Sequence, residues 1–208
     1  MSYTILHIDS SPLGDRSVSR KLTAKTVAEL QAKHPGNNVI MRDFGTNPLP
    51  HLSGTTLGAF YTPPDKRDAA LNEAIKLSDQ AVDELIAADI IVIGTPMWNF
   101  GIPSSLKAWI DHIARAGRTF KYGATGPESL LAPGKKVIIV SSRGGVYSDG
   151  PMKAMDYQET YLKAVFGFLG LHDVSFIRSE GAAMGEDAAK IAMQAAETQL
   201  AETIKNVA

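Results

Sequence analysis

The sequence predicts an α/β protein built on a doubly wound, five-stranded parallel sheet with helices on both faces. Strand and helix patterns alternate along the chain, which is typical of βαβ units. The strand patterns at 89–95 and 135–142 are continuously apolar, as expected of strands buried on both faces. The 208 residues, 44% of them hydrophobic, suffice for one core, and no repeat or linker divides them. We therefore expect a single domain over 1–208.

The first half of the chain predicts three strands, two helices and one long connection. In order, these are a β-rich strand at 3–8, a helix at 17–34, a strand at 37–44, a surface excursion at 45–67, a helix at 68–88 and a strand at 89–95. The first helix is indicated by Leu22, Val27 and Leu30 on one stripe. The excursion is indicated by its Pro, Gly and Thr content.

The second half continues the alternation. It predicts a helix at 104–117, a polar Gly-rich segment at 118–135, a strand at 135–142, a helix at 154–170, a strand at 172–181 and a closing helix at 185–208. Leu106, Trp109 and Ile113 share one face of the third helix, so Trp109 is expected in the core. In such a sheet, ligands bind beyond the carboxyl ends of the strands, where the strand order reverses.

Composition excludes several classes of function. A net charge of −1 gives no electrostatic footprint for nucleic acid or an anionic membrane. The absence of cysteine excludes disulfides and thiol catalysis. The five histidines have no metal-ligand spacing, so no metal is expected, and His112 is interpreted as a surface or interface group. No signal peptide or membrane-length apolar run is recognisable, which predicts a cytoplasmic protein.

The loop after the first strand, "SSPLGDRSVSRKL", predicts a phosphate site. Ser10, Ser11, Ser17 and Ser19 crowd around the start of a helix, where amides and the helix dipole favour an anion. Arg20 and Lys21 would add charge or lie on a solvated face. The alternative is ordinary capping by Ser17. Neither G-x-G-x-x-G nor G-x-x-x-x-G-K-[ST] follows this strand, so a mononucleotide cofactor is favoured over a dinucleotide or a P-loop nucleotide.

The loop after the third strand, "TPMWNFGIPSS", carries two aromatic residues between Pro and Gly. Met97, Trp98 and Phe100 supply a surface for a flat heteroaromatic ring, and Asn99 supplies polar contacts along its edge. Gly101 would allow close approach of the backbone. The alternative is an aromatic turn packed on the core.

The loop after the fourth strand, "VSSRGGVYSDGP", contains a Gly-Gly pair. The amides of Gly144 and Gly145 would form a nest around a ring carbonyl, with Arg143 and Tyr147 as nearby donors. The alternative is a plain turn, since Gly-Gly is weak by itself.

At these three motifs the sequence resembles the FMN-dependent NADH:azoreductases, within the flavodoxin-like NAD(P)H quinone oxidoreductases. The motifs are "SSPLGDRSVS", "PMWNFGIPSSLKAWID" and "SSRGGVYSDGP", and the resemblance covers essentially the whole chain. It implies that FMN is bound by Ser11, Ser17, Val18 and Ser19 at the phosphate, by Pro96, Met97, Trp98, Asn99 and Phe100 along the isoalloxazine ring, and by Ser142, Arg143, Gly144 and Gly145 at the pyrimidine end. Members often carry Tyr at the Trp98 position, a polar residue at the Val18 position and, in some cases, His at the Tyr147 position.

The resemblance further implies a ping-pong cycle. NADH or NADPH reduces FMN, and an azo compound or quinone then takes two electrons at the same ring face. No catalytic side chain is required, although Tyr147 is a candidate helper. The family forms homodimers with each site completed by the partner. Phe60, Phe120 and Tyr122 are candidates for the substrate pocket, with local packing as the alternative for each.

Two other functions stay open at this point. One is a flavodoxin-like electron-transfer module without a small-molecule acceptor of its own, although a charge of −1 is far from the acidity usual for docking redox partners. The other is a redox-regulated binding protein in which FMN is structural.

Overall fold

The computed structural model describes residues 2–207, and its centre is one parallel five-stranded sheet. The strands of this sheet are β1 Thr4–Asp9, β2 Asn38–Asp43, β3 Ile90–Pro96, β6 Lys136–Ser142 and β7 Asp173–Ser179. They lie in the order β2-β1-β3-β6-β7. All four pairings are parallel, with Ile5 opposite Ile90 and Ile90 opposite Lys136. The predicted doubly wound sheet is confirmed.

Helices cover both faces of this sheet. They are α1 Val18–Lys33, α2 Gly54–Tyr61, α3 Ala69–Ala87, α4 Ser104–Ile113, α5 Tyr157–Phe168 and α6 Glu186–Val207. Alternate residues of β3 belong to two separate core clusters: Ile91 and Ile93 pack under α3, α4 and α5, whereas Ile90 and Val92 pack under α1 and α6. Every residue of β3 is buried, as its continuous apolar run predicted. Within the described residues, no helix is long and apolar enough to cross a membrane.

The strand order places the candidate site. From β1 the chain moves one way to β2 and then crosses to β3, β6 and β7 on the other side, so the order reverses between β1 and β3. Because the strands are parallel, the loops after β1, β3 and β6 all leave from the same edge of the sheet. The three loops that carried the motifs are therefore neighbours.

Two connections contain more structure than the sequence predicted. The excursion at 45–67 includes α2, which begins where the Ser53 hydroxyl accepts a 3.1 Å hydrogen bond from the Thr56 amide. The segment at 118–135 forms an antiparallel hairpin of β4 Phe120–Gly123 and β5 Gly126–Ser129. The sequence did not predict α2 because its segment is rich in Gly and Thr. It did not predict the hairpin because both strands are short.

His112 on α4 is buried, contrary to the expectation from the sequence. His112 is 1% exposed, and its Nε2 lies 2.9 Å from the carbonyl oxygen of Pro50. It therefore holds the loop after β2 against α4, so the expectation of a surface or interface group is wrong. Trp109 is 1% exposed and belongs to the core, as predicted.

Candidate functional site

The loop after β1 brings buried hydroxyls to the N-terminus of α1. Ser17 caps the helix, and its Oγ accepts from the Arg20 amide at 3.3 Å and lies 3.1 Å from Ser19 Oγ. The amides of Val18 and Ser19 come before the first intrahelical bonds, so they remain available to an anion. Ser11 is buried beside this turn. Capping by Ser17 therefore does not exclude an anion site at this helix terminus.

Two other residues of this loop have structural tasks. Ser10 donates its hydroxyl to the Gly94 carbonyl at 2.8 Å and so ties the loop to β3. Arg20 donates from Nε to the Ser11 carbonyl at 2.8 Å and forms a two-pronged ion pair with Asp43 at the end of β2. The guanidinium is therefore engaged within the protein, and Arg20 shapes the loop instead of offering a free charge.

The loop after β3 contains a tight turn of residues 98–101, called here the Trp98 turn. Trp98 and Gly101 exchange two main-chain hydrogen bonds of 3.0 Å, and the two central residues have positive φ, 47° for Asn99 and 71° for Phe100. Positive φ at both central positions is the type I′ pattern. For a bulky residue such as Phe100 this conformation is strained, and such strain concentrates at functional sites.

The turn is held in place from both sides. The Met97 amide donates to the Ser142 carbonyl at 2.8 Å, and the Phe100 carbonyl accepts from the Tyr157 amide at 3.2 Å. Pro96 is the buried last residue of β3. The Asn99 side chain makes no hydrogen bond within residues 2–207, and Trp98 is 46% exposed. Both groups therefore face outward, available to a ligand.

The loop after β6, residues 143–148, is called here the glycine loop. Its first three carbonyls, those of Arg143, Gly144 and Gly145, accept hydrogen bonds of 3.0–3.2 Å from the amides of 181–183. The amides of Gly144 and Gly145 find no acceptor among the described residues. The loop therefore keeps unpartnered N–H donors next to carbonyls that are already bonded. Such donors suit the carbonyl and ring-nitrogen acceptors of a flat heteroaromatic ring.

Arg143 has a different role from the one the sequence suggested. Its side chain is completely buried and contacts Asp156 at 3.0 Å, Glu159 at 2.8 Å and Glu180 at 3.0 Å. The guanidinium is thus not a donor near a ligand, and this part of the prediction is wrong. Three carboxylates compensate its charge because a buried cation without partners would be strongly unfavourable.

Two of those carboxylates have shifted pKa values. Burial alone would raise the pKa of Glu180, but hydrogen bonds from the Ser148 hydroxyl, the Tyr147 amide and Arg143 outweigh it and lower the pKa below its ordinary value. For Glu159, burial is likewise outweighed, mainly by the hydrogen bond and charge of Arg178, so its pKa is also lowered. Both groups are therefore ionised at neutral pH.

Two adjoining pockets lie at this edge of the sheet. A small one of about 220 Å³ separates the Trp98 turn from the glycine loop and is lined by Met97, Asn99, Phe100, Gly144 and Tyr147. A larger one of about 810 Å³, called here the cleft, shares Asn99 with it. The cleft is lined by Ser10, Pro12, Phe44, Gly45, Pro48, Leu49, Pro50, His51, Trp98, Asn99, Ile102, Pro103, Ser104 and Ser105.

The second wall of the cleft, Phe44 to His51, was missed by sequence reasoning. It follows β2, whose carboxyl end shares the site edge, so its position was a usable signal. Glu180 was missed too, although it directly follows β7 at the same edge. A close packing contact fixes the start of this wall, since a side chain at Gly45 would overlap the Ser11 carbonyl.

The three residues predicted for a substrate pocket lie elsewhere within one chain. Phe120 is 6% exposed and stacks edge-on against Phe168 at 4.6 Å, so it is a core residue. Phe60 lies under the Arg115 guanidinium at 4.1 Å. Tyr122 is 74% exposed on the hairpin, which is bonded to the carboxyl end of α5 through Ser129 and Leu169. None of the three lines either pocket of its own chain.

Residues 2–207 contain no cluster of three or more His, Cys, Asp or Glu side chains suited to a metal ion. The site therefore consists of hydroxyls, amides and aromatic surface, with a buried ion network beneath the glycine loop. Such an arrangement has the chemistry to bind an anion at one end and a flat ring at the other.

Known proteins with similar sequences share one description. A protein from Ralstonia nicotianae, named FMN-dependent NADH:quinone oxidoreductase, is 52% identical over 201 residues, covering 96% of this chain and 96% of that protein. A protein of the same name from Nostoc sp. is 48% identical over 203 residues, covering 97% and 98%.

Solved structures of azoreductases have the same fold as this chain. An azoreductase from Bacillus anthracis str. Sterne superposes with a TM-score of 0.89 at 28% identity, covering 98% of this chain and 99% of that one. An FMN-dependent NADH-azoreductase from Bacillus anthracis str. Ames Ancestor, solved in complex with FMN, gives 0.90 at 26% identity and 99% of both chains. The family model described as flavodoxin-like fold matches residues 3–204. The chain belongs to the flavodoxin-like family and, within it, to the FMN-dependent NADH:quinone oxidoreductases.

Proposed function

We propose that the chain is an FMN-dependent NAD(P)H oxidoreductase that reduces quinones and cleaves azo compounds reductively. The observation that carries the proposal is the pair of unpartnered amides at Gly144 and Gly145, of which Gly144 lines a pocket shared with the strained Trp98 turn. When bound, FMN supplies two-electron transfer between a nicotinamide and a flat acceptor. The names of the relatives support the same chemistry.

The proposed binding roles follow the geometry of the three loops. Ser11, Ser17, Val18 and Ser19 hold the phosphate with hydroxyls and helix-terminal amides. Met97 to Phe100 lie along the ring, and Gly144 and Gly145 donate to its pyrimidine end. Pro96, Ser142 and Arg143 act by positioning these segments, because their own polar or side-chain groups are buried or bonded within the protein.

The chain's part in catalysis is binding and charge stabilisation. At the pyrimidine end of a bound ring, the amides of Gly144 and Gly145 would supply preorganised donors for negative charge, with Tyr147 as a helper. The Trp98 ring and the Phe44–His51 wall bound the cleft in which the nicotinamide and the acceptor alternate, giving ping-pong kinetics. Turnover then needs no dedicated acid among the protein side chains.

The proposal includes a homodimer with sites at its interface and a cytoplasmic location. Tyr122 and Tyr157 are exposed aromatics, and in its own chain Tyr122 is remote from the cleft, so only a second copy could bring it there. An intracellular electron donor, NAD(P)H, accords with the location. Sedimentation of the FMN-loaded protein tests the dimer, which is contradicted by a monomer at micromolar concentration.

One experiment tests the function. Purified protein should retain FMN and appear yellow, should be bleached anaerobically by NADH or NADPH, and should regain its colour with a quinone or an azo dye. A protein that neither carries nor retains added FMN would contradict the proposal. Bleaching without turnover of any small acceptor would favour the electron-transfer module, against which the 810 Å³ cleft beside the ring site argues.

A further inference from the structure

Glu180 joins the end of β7 to the far end of the glycine loop. Its Oε1 accepts from the Tyr147 amide at 2.9 Å, the Ser148 amide at 3.0 Å and Arg143 Nη1 at 3.0 Å. Its Oε2 accepts from the Ser148 hydroxyl. One carboxylate thus bonds both the first residue of the loop and its last two, which closes the loop into a ring of contacts.

These contacts constrain the conformation of the loop at both of its ends. Glycine has little backbone preference, so the direction of the Gly144 and Gly145 amides must come from their surroundings. The amides of 181–183 donate to the carbonyls of Arg143, Gly144 and Gly145. Glu180 accepts from the amides of Tyr147 and Ser148. The amides of Gly144, Gly145 and Val146 are left without an acceptor among the described residues.

We propose that Glu180 is a positioning residue that fixes the direction of the Gly144 and Gly145 amides and, through them, the reduction potential of the bound flavin. The inference rests on the proposed function and deepens it. Donors aimed at developing negative charge favour the reduced cofactor over the oxidised one, so well-aligned amides raise the potential. In this role Glu180 itself touches neither cofactor nor substrate.

Charge and position predict opposite effects when this carboxylate is lost. Removing a negative charge near the ring would by itself stabilise the reduced anionic cofactor and raise the potential. Releasing the loop would misalign the two amides and lower it. The sign of the shift therefore separates a positioning role from a simple charge effect.

The experiment compares three variants of the FMN-loaded protein by redox titration and by FMN dissociation constants. Glu180→Gln removes the charge, and Glu180→Asp keeps it but withdraws the carboxylate by one methylene. Glu159→Gln is the matched control, because Glu159 also pairs with Arg143 but bonds no amide of the glycine loop. Thermal unfolding checks that each variant folds, and if Glu180→Gln does not fold, Glu180→Asp carries the test.

We expect both Glu180 variants to bind FMN about tenfold more weakly and to lose about tenfold more affinity for reduced than for oxidised FMN. That ratio corresponds to a potential about 30 mV lower for a two-electron couple. Glu159→Gln should leave the potential unchanged or raise it. The inference is overturned if the Glu180 potentials stay at or above the wild-type value, or if Glu159→Gln lowers the potential equally. Wild-type protein that fails to bind FMN would instead contradict the proposed function.

Discussion

Trp98 and Gly101 are joined by two reciprocal main-chain hydrogen bonds, so that Asn99 and Phe100 are both forced to positive φ. This is the place where backbone strain and the candidate site coincide. The strain is measurable because glycine accepts this conformation freely and other residues do not.

The strain at Phe100 predicts a difference between two truncations. Phe100→Ala and Phe100→Gly both remove the ring, but only glycine relieves the conformation at φ 71°. We expect the glycine variant to exceed the alanine variant in free energy of unfolding by about 1 kcal/mol, measured by urea denaturation without FMN. A glycine variant less stable than the alanine variant would show that Phe100 is not strained.

A substitution at Ser17 can distinguish its role as a helix cap from its proposed role in phosphate binding. Ser17→Asp keeps a side-chain acceptor for the helix amides, so the thermal stability of the FMN-free protein should hold or rise. The added charge should repel the phosphate and raise the FMN dissociation constant at least a hundredfold. Riboflavin, which lacks the phosphate, is the control ligand, and its binding should change less than threefold. An equal loss of both ligands would place the phosphate elsewhere.

The Trp98 side chain should affect the acceptor more than the cofactor. Its backbone makes the turn, whereas its ring lies on the wall of the cleft. Trp98→Ala should raise the KM for a bulky azo dye about tenfold and leave the FMN dissociation constant within about threefold, since a partly buried aromatic contributes about 1–2 kcal/mol. Leu77→Ala, an exposed apolar truncation on α3 outside the cleft, is the control and should change neither value.

The loss of folding stability at low pH should depend on the Asp43 carboxylate. Burial alone would raise the pKa of Asp43, but the hydrogen bond and charge of Arg20, together with hydrogen bonds from Thr46, outweigh it and lower the pKa. A carboxylate with a lowered folded-state pKa stabilises the protein above the unfolded value near 4, and this contribution is lost as the pH falls through the lowered pKa. Asp43→Asn should therefore cost about 1 kcal/mol at pH 7 and flatten the loss of stability between about pH 5 and pH 3.

The matched control for this pair is Asp187→Asn, since the Asp187 side chain is 95% exposed at the start of α6. Its unfolding curve should follow the wild type across the same range. If Asp43→Asn retains the full acid dependence, the Arg20 pair contributes nothing to it.

Sequence patterns predicted the sheet, the parallel direction of its strands and the edge that carries the loops, because strand periodicity and connection length are local properties. They did not predict α2 or the hairpin, where short elements form within polar segments. The buried ion network of Arg143 could not be predicted either, since its partners Glu159 and Glu180 are distant in sequence and meet only in the folded protein. Phe120 was misplaced for the same reason: an aromatic next to a loop motif can serve the core of another layer.

The cleft has two walls of different origin, so residues that contact the acceptor can be changed separately from residues that form the cofactor site. Main-chain bonds join the Trp98 turn to α5 and, through Met97, to the end of β6, and they join the glycine loop to the segment 179–183, so changes there would disturb the ring site. The Pro48–His51 stretch contacts the cleft from the other side and is tied to α4 by one bond from His112. Substitutions at 48–51 should therefore redirect acceptor preference while the cofactor site keeps its form, which makes this stretch the natural starting point for engineering dye selectivity.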